Sequence, residues 1–580
     1  MDRSKHASPT LTPASLALLA CAPAAPPPPA ASPPAPVTLV DSPLLVEPEP
    51  QEAPVVEVPA AGAGEFDVSG FVAPHSPSGE RTPPVELVQL GARLVPRWKA
   101  KVGKTTFRTT MALVGDTLVI GTHGDTLNGQ GEASDGVVLL AAATGQRRRL
   151  IRTPGTGDLD VGGVAVDGDR IYFSADNAQV VAADLEGKIH WRSTAKGKVR
   201  PAPALADLNG DGKVDVVVGD ESGVLRALDG RTGAPLWTAT TGPNEYGARG
   251  FIAAAAIADL DGDGRDDVVA GARDGVLAAR RGRDGFVLWQ VVHDSGMHAS
   301  PVIADFDHDG RPEVLAAWSY GDVAIHDGAS GNLRWGTVLQ QDDGGIEGLF
   351  GTPTPLSGKP GVLVAPTAWW GEGQDGLLGV GPSRLAFRAV EGRVSSSAVV
   401  TDLGDDGTLE AIAGTEQGAL VALRADGGYA RLAQLGGGIE APALLADVEG
   451  DGTFELLVAS NDGLLTCFST GSRARPAIPR FRGESAHNRG DLGRVSLGWS
   501  AAAARSRGPA QAAGGVRLDY LNCCSALQVA AASAPSPENR ALLEAAARCL
   551  SLAAGAAPRE AALGDITSAI SGATLPDACR

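Results

Sequence analysis

The chain has 580 residues, 76 of them Gly, with 43% hydrophobic and only 4% aromatic content, a composition that suits many short strands joined by tight turns better than long helices. Acidic residues outnumber basic ones by 68 to 49 and leave a net charge of −19, which opposes binding to phosphate backbones and anionic lipid surfaces; nucleic acid is not an expected partner. No apolar run of the sequence approaches the ~18 residues that a membrane-spanning helix requires.

At the start of the chain, Arg3 and Lys5 precede a short apolar stretch, residues 11–20, that ends in Leu18-Leu19-Ala20-Cys21. This end resembles the lipobox of bacterial lipoprotein signal peptides. The resemblance implies a signal peptide over residues 1–21, lipidation of Cys21 and export to the cell envelope, with the membrane engaged only through that anchor. Residues 22–91, rich in Pro and Ala over 22–60, read as a disordered tether, because such a composition favours extended chain over a packed core.

From residue 92 to 493 one phrase recurs: an apolar strand, an acidic loop, a second apolar strand ending in Gly, a Gly turn, a third strand, and a Gly turn leading to Trp. Three copies are nearly complete: APALADLNGDGKVDVVVGDESGVLRALDGRTGAPLW (202–237), AAIADLDGDGRDDVVAGARDGVLAARRGRDGFVLW (255–289) and PVIADFDHDGRPEVLAAWSYGDVAIHDGASGNLRW (301–335). Weaker copies are TLVIGTHGD (117–125), RIYFSADN (170–177), GVLVAPTAWW (361–370), LEAIAGTEQGALVAL (409–423) and FELLVASNDGLLTCF (454–468). Eight second strands at intervals of about 45 to 53 residues, four strands to a unit, predict an all-β, eight-bladed propeller, since each small sheet can bury its faces only against its neighbours. Trp191, Trp237, Trp289 and Trp335 share one repeat position near the start of the fourth strand and are expected to pack between blades. The last copy stops after three strands, at Phe468. The missing fourth, with its Trp, stands at the other end of the ring as Leu94-Val95-Pro96-Arg97-Trp98-Lys99, so the two ends of the repeat region are expected to pair and close the ring.

The rhythm G-x-L-x-A-L-D-x-x-T-G-x-x-L-W over residues 92–493 resembles the PQQ-like propeller superfamily, and the acidic loops resemble the FG-GAP/VCBS repeats of integrin α-subunit propellers and bacterial surface proteins. Pro479-Arg480-Phe481-Arg482-Gly483, followed by His487-Asn488, is similar to the terminal element that often accompanies such propellers. These resemblances bear on fold; propellers host enzymes, receptors and scaffolds alike.

The acidic loops follow D-x-[DN]-x-D-G-x-x-[DE]: Asp207, Asn209, Asp211 and Asp215; Asp259, Asp261, Asp263 and Asp267; Asp305, Asp307, Asp309 and Glu313. Oxygen side chains at positions 1, 3, 5 and 9, with Gly at 6, gather hard ligands around one cation, and calcium fits that set best. Position 12 is Val218, Ala270 or Ala316, inside an apolar strand, so these are strand-loop-strand sites and not helical calcium hands. Without a cation, carboxylates at about 4 Å repel by roughly 4 kcal/mol at an effective dielectric near 20. Two further loops are degraded: Asp402, Asp406 and Glu410 surround Gly404 at position 3, and Asp447, Glu449, Asp451 and Glu455 carry a bulkier Glu there. Weak calcium binding and a metal-free acidic turn are both open for these two.

Haem, zinc-helix, hydrolase-elbow and phosphate-loop motifs do not occur. His308 falls at a non-ligand position of its loop and reads as a surface turn residue. Arg489-Gly490-Asp491 spells an adhesion tripeptide, for which coincidence is the expected reading.

Residues 494–515 read as a linker, and residues 516–580 change to helical spacing. Leu518, Leu521 and Cys524 share a face, Ser536-Pro537 opens a helix through Leu550, and Pro558 opens another through Ile570. Cys523, Cys524, Cys549 and Cys579 suggest two disulfides stapling this small helical module in an exported protein. Cys467, in the last blade, is expected to be a buried apolar residue.

The combined expectation is a calcium-binding, non-catalytic propeller that binds a protein or glycan across one face as a monomeric envelope scaffold, either lipid-anchored at the surface or secreted. One alternative is an envelope-assembly lipoprotein resembling the propeller subunit of the outer-membrane protein insertion machine, a family that generally lacks calcium loops. A second is a quinoprotein dehydrogenase, whose fold and vicinal cysteines compare with Cys523-Cys524, although here that pair follows the propeller.

Overall fold

A computed structural model describes residues 94–127, 131–243, 247–293, 295–339, 348–359, 361–368, 375–382, 385–389, 392–483 and 485–499. The readings made for the signal peptide with Cys21, the tether, and the C-terminal module with Cys523, Cys524, Cys549 and Cys579 lie outside these residues. Among the described residues there are strands and turns and no helix.

Each repeat folds into four antiparallel strands in sequence order, because the apolar runs are only three to seven residues long and are punctuated by Gly turns. The blades begin at Met111, Val161, Ala204, Ala256, Val302, Thr354, Val399 and Leu444, and are numbered 1 to 8 in that order. First, second and third strands are buried on both faces, as in Asp215–Gly219 of blade 3. They read as unbroken apolar runs for that reason. Fourth strands are mostly exposed; in Ile189–Thr194 only Trp191 is buried. Apolar clusters join neighbouring blades, one of them uniting Leu205's neighbours Ala204 and Ala206 and Trp237 of blade 3 with Ile257 and Val268 of blade 4.

The recurring Trp is the peg between blades, as expected. Trp191, Trp237 and Trp289 donate their indole N–H to the carbonyls of Gly230, Gly282 and Gly328, each in the last turn of the next blade, at 2.8, 2.5 and 2.6 Å. Trp335 does the same to Pro382 at 2.6 Å. Gly233, Gly285 and Gly331, before the Trp strands of blades 3, 4 and 5, are required by the Trp of the blade before: a Cβ on Gly233 would stand 2.5 Å from the Trp191 ring, and Gly233 has φ +73°.

Ring closure also matches the reading. Val95–Lys101 pairs antiparallel with Leu464–Ser469 and supplies the fourth strand of blade 8. Trp98 then meets Gly145 of blade 1 as its counterparts meet theirs, although its indole N–H is buried without a partner. Cys467 on the facing strand is fully buried, and burial pushes its thiol up to about 12.

The channel at the centre of the ring is crossed by the segment after blade 8. Pro479 accepts the amide of Leu445 in blade 8 at 2.7 Å, and Ile478 exchanges two hydrogen bonds with Val400 in blade 7. The carbonyls of Ala486, His487, Arg489 and Gly490 then accept the amides of Val166, Leu205, Ile257 and Ile303, in the first strands of blades 2, 3, 4 and 5. Asp491–Arg494 continues as a parallel fifth strand beside Val302–Asp305, and Leu497 accepts the amide of Gly361 in blade 6. This strap satisfies inner-edge amides that would otherwise face the channel.

The closure makes a truncation test specific. Removing residues 1–90 leaves the ring intact, whereas removal through Lys101 strips blade 8 of its outer strand, exposes the edge at Leu464–Ser469 and costs about 3 kcal/mol or more by loss of buried side chains. Urea unfolding of the two truncations measures the difference, and equal midpoints would contradict closure by this strand.

A buried imidazole adds a pH dependence. His326 is fully buried between Trp289 and Trp318, donates from Nδ1 to the Gly331 carbonyl at 2.9 Å, and is pushed down to about 4 by burial. Between an unfolded value near 6.5 and about 4, the unfolded chain takes up a proton that the folded ring does not, so stability falls as pH falls through this window, by up to about 3 kcal/mol. His326→Phe flattens that decline in urea midpoints taken from pH 7 to pH 4.

Candidate functional site

The acidic loops link the first and second strands of blades 3, 4, 5, 7 and 8, and all five share one hydrogen-bond plan. The position-1 carboxylate caps the loop's own amides: Asp207 accepts from Gly210 at 2.8 Å and Gly212 at 2.8 Å, Asp259 from Gly262 and Gly264 at 2.8 and 2.9 Å, and Asp447 from Gly450 and Gly452 at 2.6 and 2.9 Å. Asp305 and Asp402 accept from Gly310 and Gly407. The position-5 residues Asp211, Asp263, Asp309, Asp406 and Asp451 each accept the amide two residues on, at 2.8 to 2.9 Å. The position-9 residues Asp215, Asp267, Glu313, Glu410 and Glu455 lie buried at the start of the second strand and accept the amide of position 2. Position 4 is left-handed throughout: Gly210, Gly262 and Gly450 hold φ of +80°, +79° and +74°, while His308 and Asp405 hold +63° and +50°. His308 is the exposed turn residue the reading expected, in a conformation that favours glycine.

Oxygen atoms of Asp259, Asp261 and Asp263 lie within 4.8 Å of one another, as do those of Asp305, Asp307 and Glu313. Asn209 stands among carboxylates in the first loop, where its Oδ1 accepts the Asp211 amide and its Nδ2 faces Asp215 at 3.4 Å. Asp267 and Asp309 fall outside the two close sets, and the degraded loops form no such set among the described residues. Burial, with the neighbouring carboxylates adding to it, pushes Asp215 up to about 6 and both Asp267 and Glu313 up to about 7. Asp305 Oδ1 and Glu313 Oε1 are buried without a hydrogen-bond partner. Hard oxygens, orphaned lone pairs and carboxylates held above their usual range are what a divalent cation would relieve, so the residues fit calcium.

Two arrangements were not legible in the sequence. Asp158, Asp160 and Asp176 gather at the opposite end of the blades, but Lys198 reaches Asp158 at 2.5 Å and Asp176 at 3.5 Å, and His123 Nδ1 lies 2.9 Å from Asp160. His123 Nε2 also approaches Thr106 Oγ1 at 3.3 Å. This Thr-His-Asp chain is buried, and Lys198 pairs with the two neighbouring carboxylates, Asp158 and Asp176. The second is Arg482, in the strap. Its guanidinium donates to the carbonyls of Ala255, Pro301 and Asn488 at 3.0, 3.0 and 2.9 Å, with no carboxylate partner among the described residues, and its backbone is left-handed at φ +56°. Burial lowers it to about 9.

Next to Arg482 in the chain, Phe481 lines a partly open pocket with Phe107, Arg108, Ile252, His298 and Phe350, whose room for water-sized contents is about 20 Å³. A single water needs roughly 10–15 Å³. The tripeptide Arg489-Gly490-Asp491 is built into the strap: Arg489 binds Asp266 at 2.8 Å, Gly490 accepts the Ile303 amide and Asp491 opens the fifth strand of blade 5.

The model of the family described as outer membrane protein assembly factor BamB matches residues 134–347, well under half of the chain. A search of curated proteins returns no match. Among solved structures the chain is similar to BamB from Moraxella catarrhalis, at 17% identity over 65% of this chain and 99% of that one, with a TM-score of 0.43. It is similar to the quinohemoprotein alcohol dehydrogenase of Comamonas testosteroni, at 16% identity over 66% and 77%, with a TM-score of 0.46. Sqt1 of Saccharomyces cerevisiae aligns at 12% identity over 65% and 99%, with a TM-score of 0.47. Likeness this distant carries no functional argument, and the count of eight blades rests on the sheets themselves.

The strap anchor yields a direct test. Arg482→Met leaves three carbonyls without their donor in a buried site and is expected to cost about 3 kcal/mol or more in urea unfolding. A neutral substitution would show that the strap does not depend on this residue.

Proposed function

We propose that the protein is a calcium-stabilised, non-catalytic scaffold of the cell envelope that binds a protein partner on a propeller face. The observation that carries this reading is the strap, whose carbonyls hold first-strand amides of blades 2, 3, 4, 5, 7 and 8 along the inner edge of the ring, which leaves the outer surfaces as the place proposed for a partner. The partial match to a family of outer-membrane assembly factors favours an envelope protein that works by contact with other proteins, and joins the two non-enzymatic readings of the sequence. A glycan ligand remains the alternative occupant of a face. The quinoprotein reading is separated by the absorption spectrum of protein purified from its own host, where a quinone band would overturn the scaffold.

Calcium is proposed for the loops at 207–215, 259–267 and 305–313. No lysine or arginine pairs with Asp207, Asp211 or Asp215, nor with Asp259, Asp261, Asp263 or Asp267, among the described residues. At free calcium about 100 times the dissociation constant, one independent site adds about 2.7 kcal/mol to the folded state. Chelator is therefore expected to lower the melting temperature and calcium to restore it. Asp263→Ala shrinks that response. Asp267→Asn also shrinks it, while costing the metal-free protein little, because the carboxylate it replaces is desolvated. His308→Gly raises stability by up to about 1 kcal/mol and leaves the calcium response intact. A melting curve indifferent to chelator and calcium, with no metal in the purified protein, removes calcium from the reading.

A further inference from the structure

The five acidic loops divide into two electrostatic classes. In blade 7, Arg424 stands on the third strand directly across from Glu410. Its Nε donates to Glu410 Oε1 at 2.7 Å and its Nη2 to Asp406 Oδ2 at 3.1 Å. These are the position-9 and position-5 oxygens of the loop, and the position-3 ligand is missing because residue 404 is Gly. In blade 8, Arg97 reaches in from the closing strand: Nη2 lies 2.6 Å from Glu449 Oε1 and Nη1 lies 3.7 Å from Glu455 Oε1. Here the guanidinium hydrogen-bonds position 3 and stands as an ion pair beside position 9, whose Oε1 has no hydrogen-bond partner.

The complete loops lack this arrangement. Blade 4 carries Arg281 at the register of Arg424, paired across from Asp267, but that side chain is drawn onto Asp284, at 3.0 and 2.7 Å, in the following turn. In blade 5 the corresponding neighbour of Glu313 is Asp327. Arg494 touches only the position-1 residue, Asp305, at 3.3 Å, and is two-thirds exposed.

We propose that Arg424 and Arg97 are built-in cations that stand where calcium would stand, so that blades 7 and 8 are held without metal while the adjacent blades 3, 4 and 5 require it. Arg424 supplies charge and directed hydrogen bonds to two carboxylates together, Arg97 a hydrogen bond to Glu449 and charge beside Glu455, and a metal could enter only by displacing them. The arrangement separates two tasks. Arg97 lies on Val95–Lys101, the strand that closes the ring, so closure proceeds whether or not calcium is present, and calcium acts on a three-blade sector of a ring already shut. This inference rests on the calcium reading of the complete loops.

Metal analysis of the full chain after equilibration in defined calcium, together with melting curves, tests it. The wild type is expected to bind three calcium ions per chain. Arg97→Ser, which frees Glu449 and Glu455 beside Asp447 and Asp451, raises the count to four. Arg424→Ser lowers the melting temperature in chelator relative to the wild type, and calcium restores the difference; Arg424→Lys, which keeps the charge, recovers most of it without metal. Five ions in the wild type overturn the inference while leaving the calcium reading in place. An unchanged count in Arg97→Ser, or a loss in Arg424→Ser that calcium does not restore, overturns it as well. A wild type that binds no calcium and melts indifferently to it removes the calcium reading itself, and the inference with it.

Discussion

A four-stranded blade whose inner three strands are apolar on both faces cannot exist alone, because each exposed face would present a sheet of Val, Leu, Ile and Ala to water. Every blade must be covered on both sides, so the architecture is stable only as a closed ring. Two devices meet that demand here. One is the Trp carried by the fourth strands of blades 2, 3, 4 and 8, seated on a glycine of the next blade, where any Cβ would strike the ring. The other is the pairing of Val95–Lys101 with Leu464–Ser469, which gives the last blade its outer strand and presents Trp98 to the first.

These features were legible in the sequence because they repeat. A period of about 50 residues is a statistical signal that eight copies reinforce, and a Trp at a fixed phase is one that five of them carry; the unmatched strand at residues 94–99 could be found by subtraction. The acidic pattern of the loops was legible for the same reason, and its residues lie in the turns between the first and second strands of blades 3, 4, 5, 7 and 8. The strap was only partly legible. Its contacts with the inner strands are made by backbone carbonyls, which leave no trace in residue type, and its path from blade to blade has no period. Arg424 was hidden because its partner Glu410 is a cross-strand neighbour 14 positions away, and Arg97 because Glu449 is 352 positions away. A search for a basic residue at the strand register of each acidic loop would have found Arg424, and would also have returned Arg281, which turns to Asp284 instead.

The loops pose one electrostatic problem with two answers. The position-9 carboxylate is buried in every copy because it caps the amide of position 2 and so fixes the hairpin's entry into the second strand. Burial then raises the cost of its charge, visible as the upward displacement of Asp215, Asp267, Glu313, Glu410 and Glu455 alike. A hairpin built this way needs a positive charge nearby or a proton. A guanidinium answers permanently; an exchangeable cation answers only when it is available.

The strap ties that choice to the rest of the molecule. Arg489 binds Asp266, next to the position-9 residue of blade 4, and Val495 donates to the carbonyl of Asp305, the position-1 residue of blade 5. The segment that fills the channel is therefore pinned to two of the three complete loops, while its entry at Ile478 and Pro479 is pinned to blades 7 and 8, whose loops carry arginine. One end of the strap is thus fixed by bonds the chain makes for itself. The other is fixed to loops whose position-9 carboxylates have no basic partner among the described residues, so that under the proposed calcium reading a cation bound there would bear on the main chain of the strap.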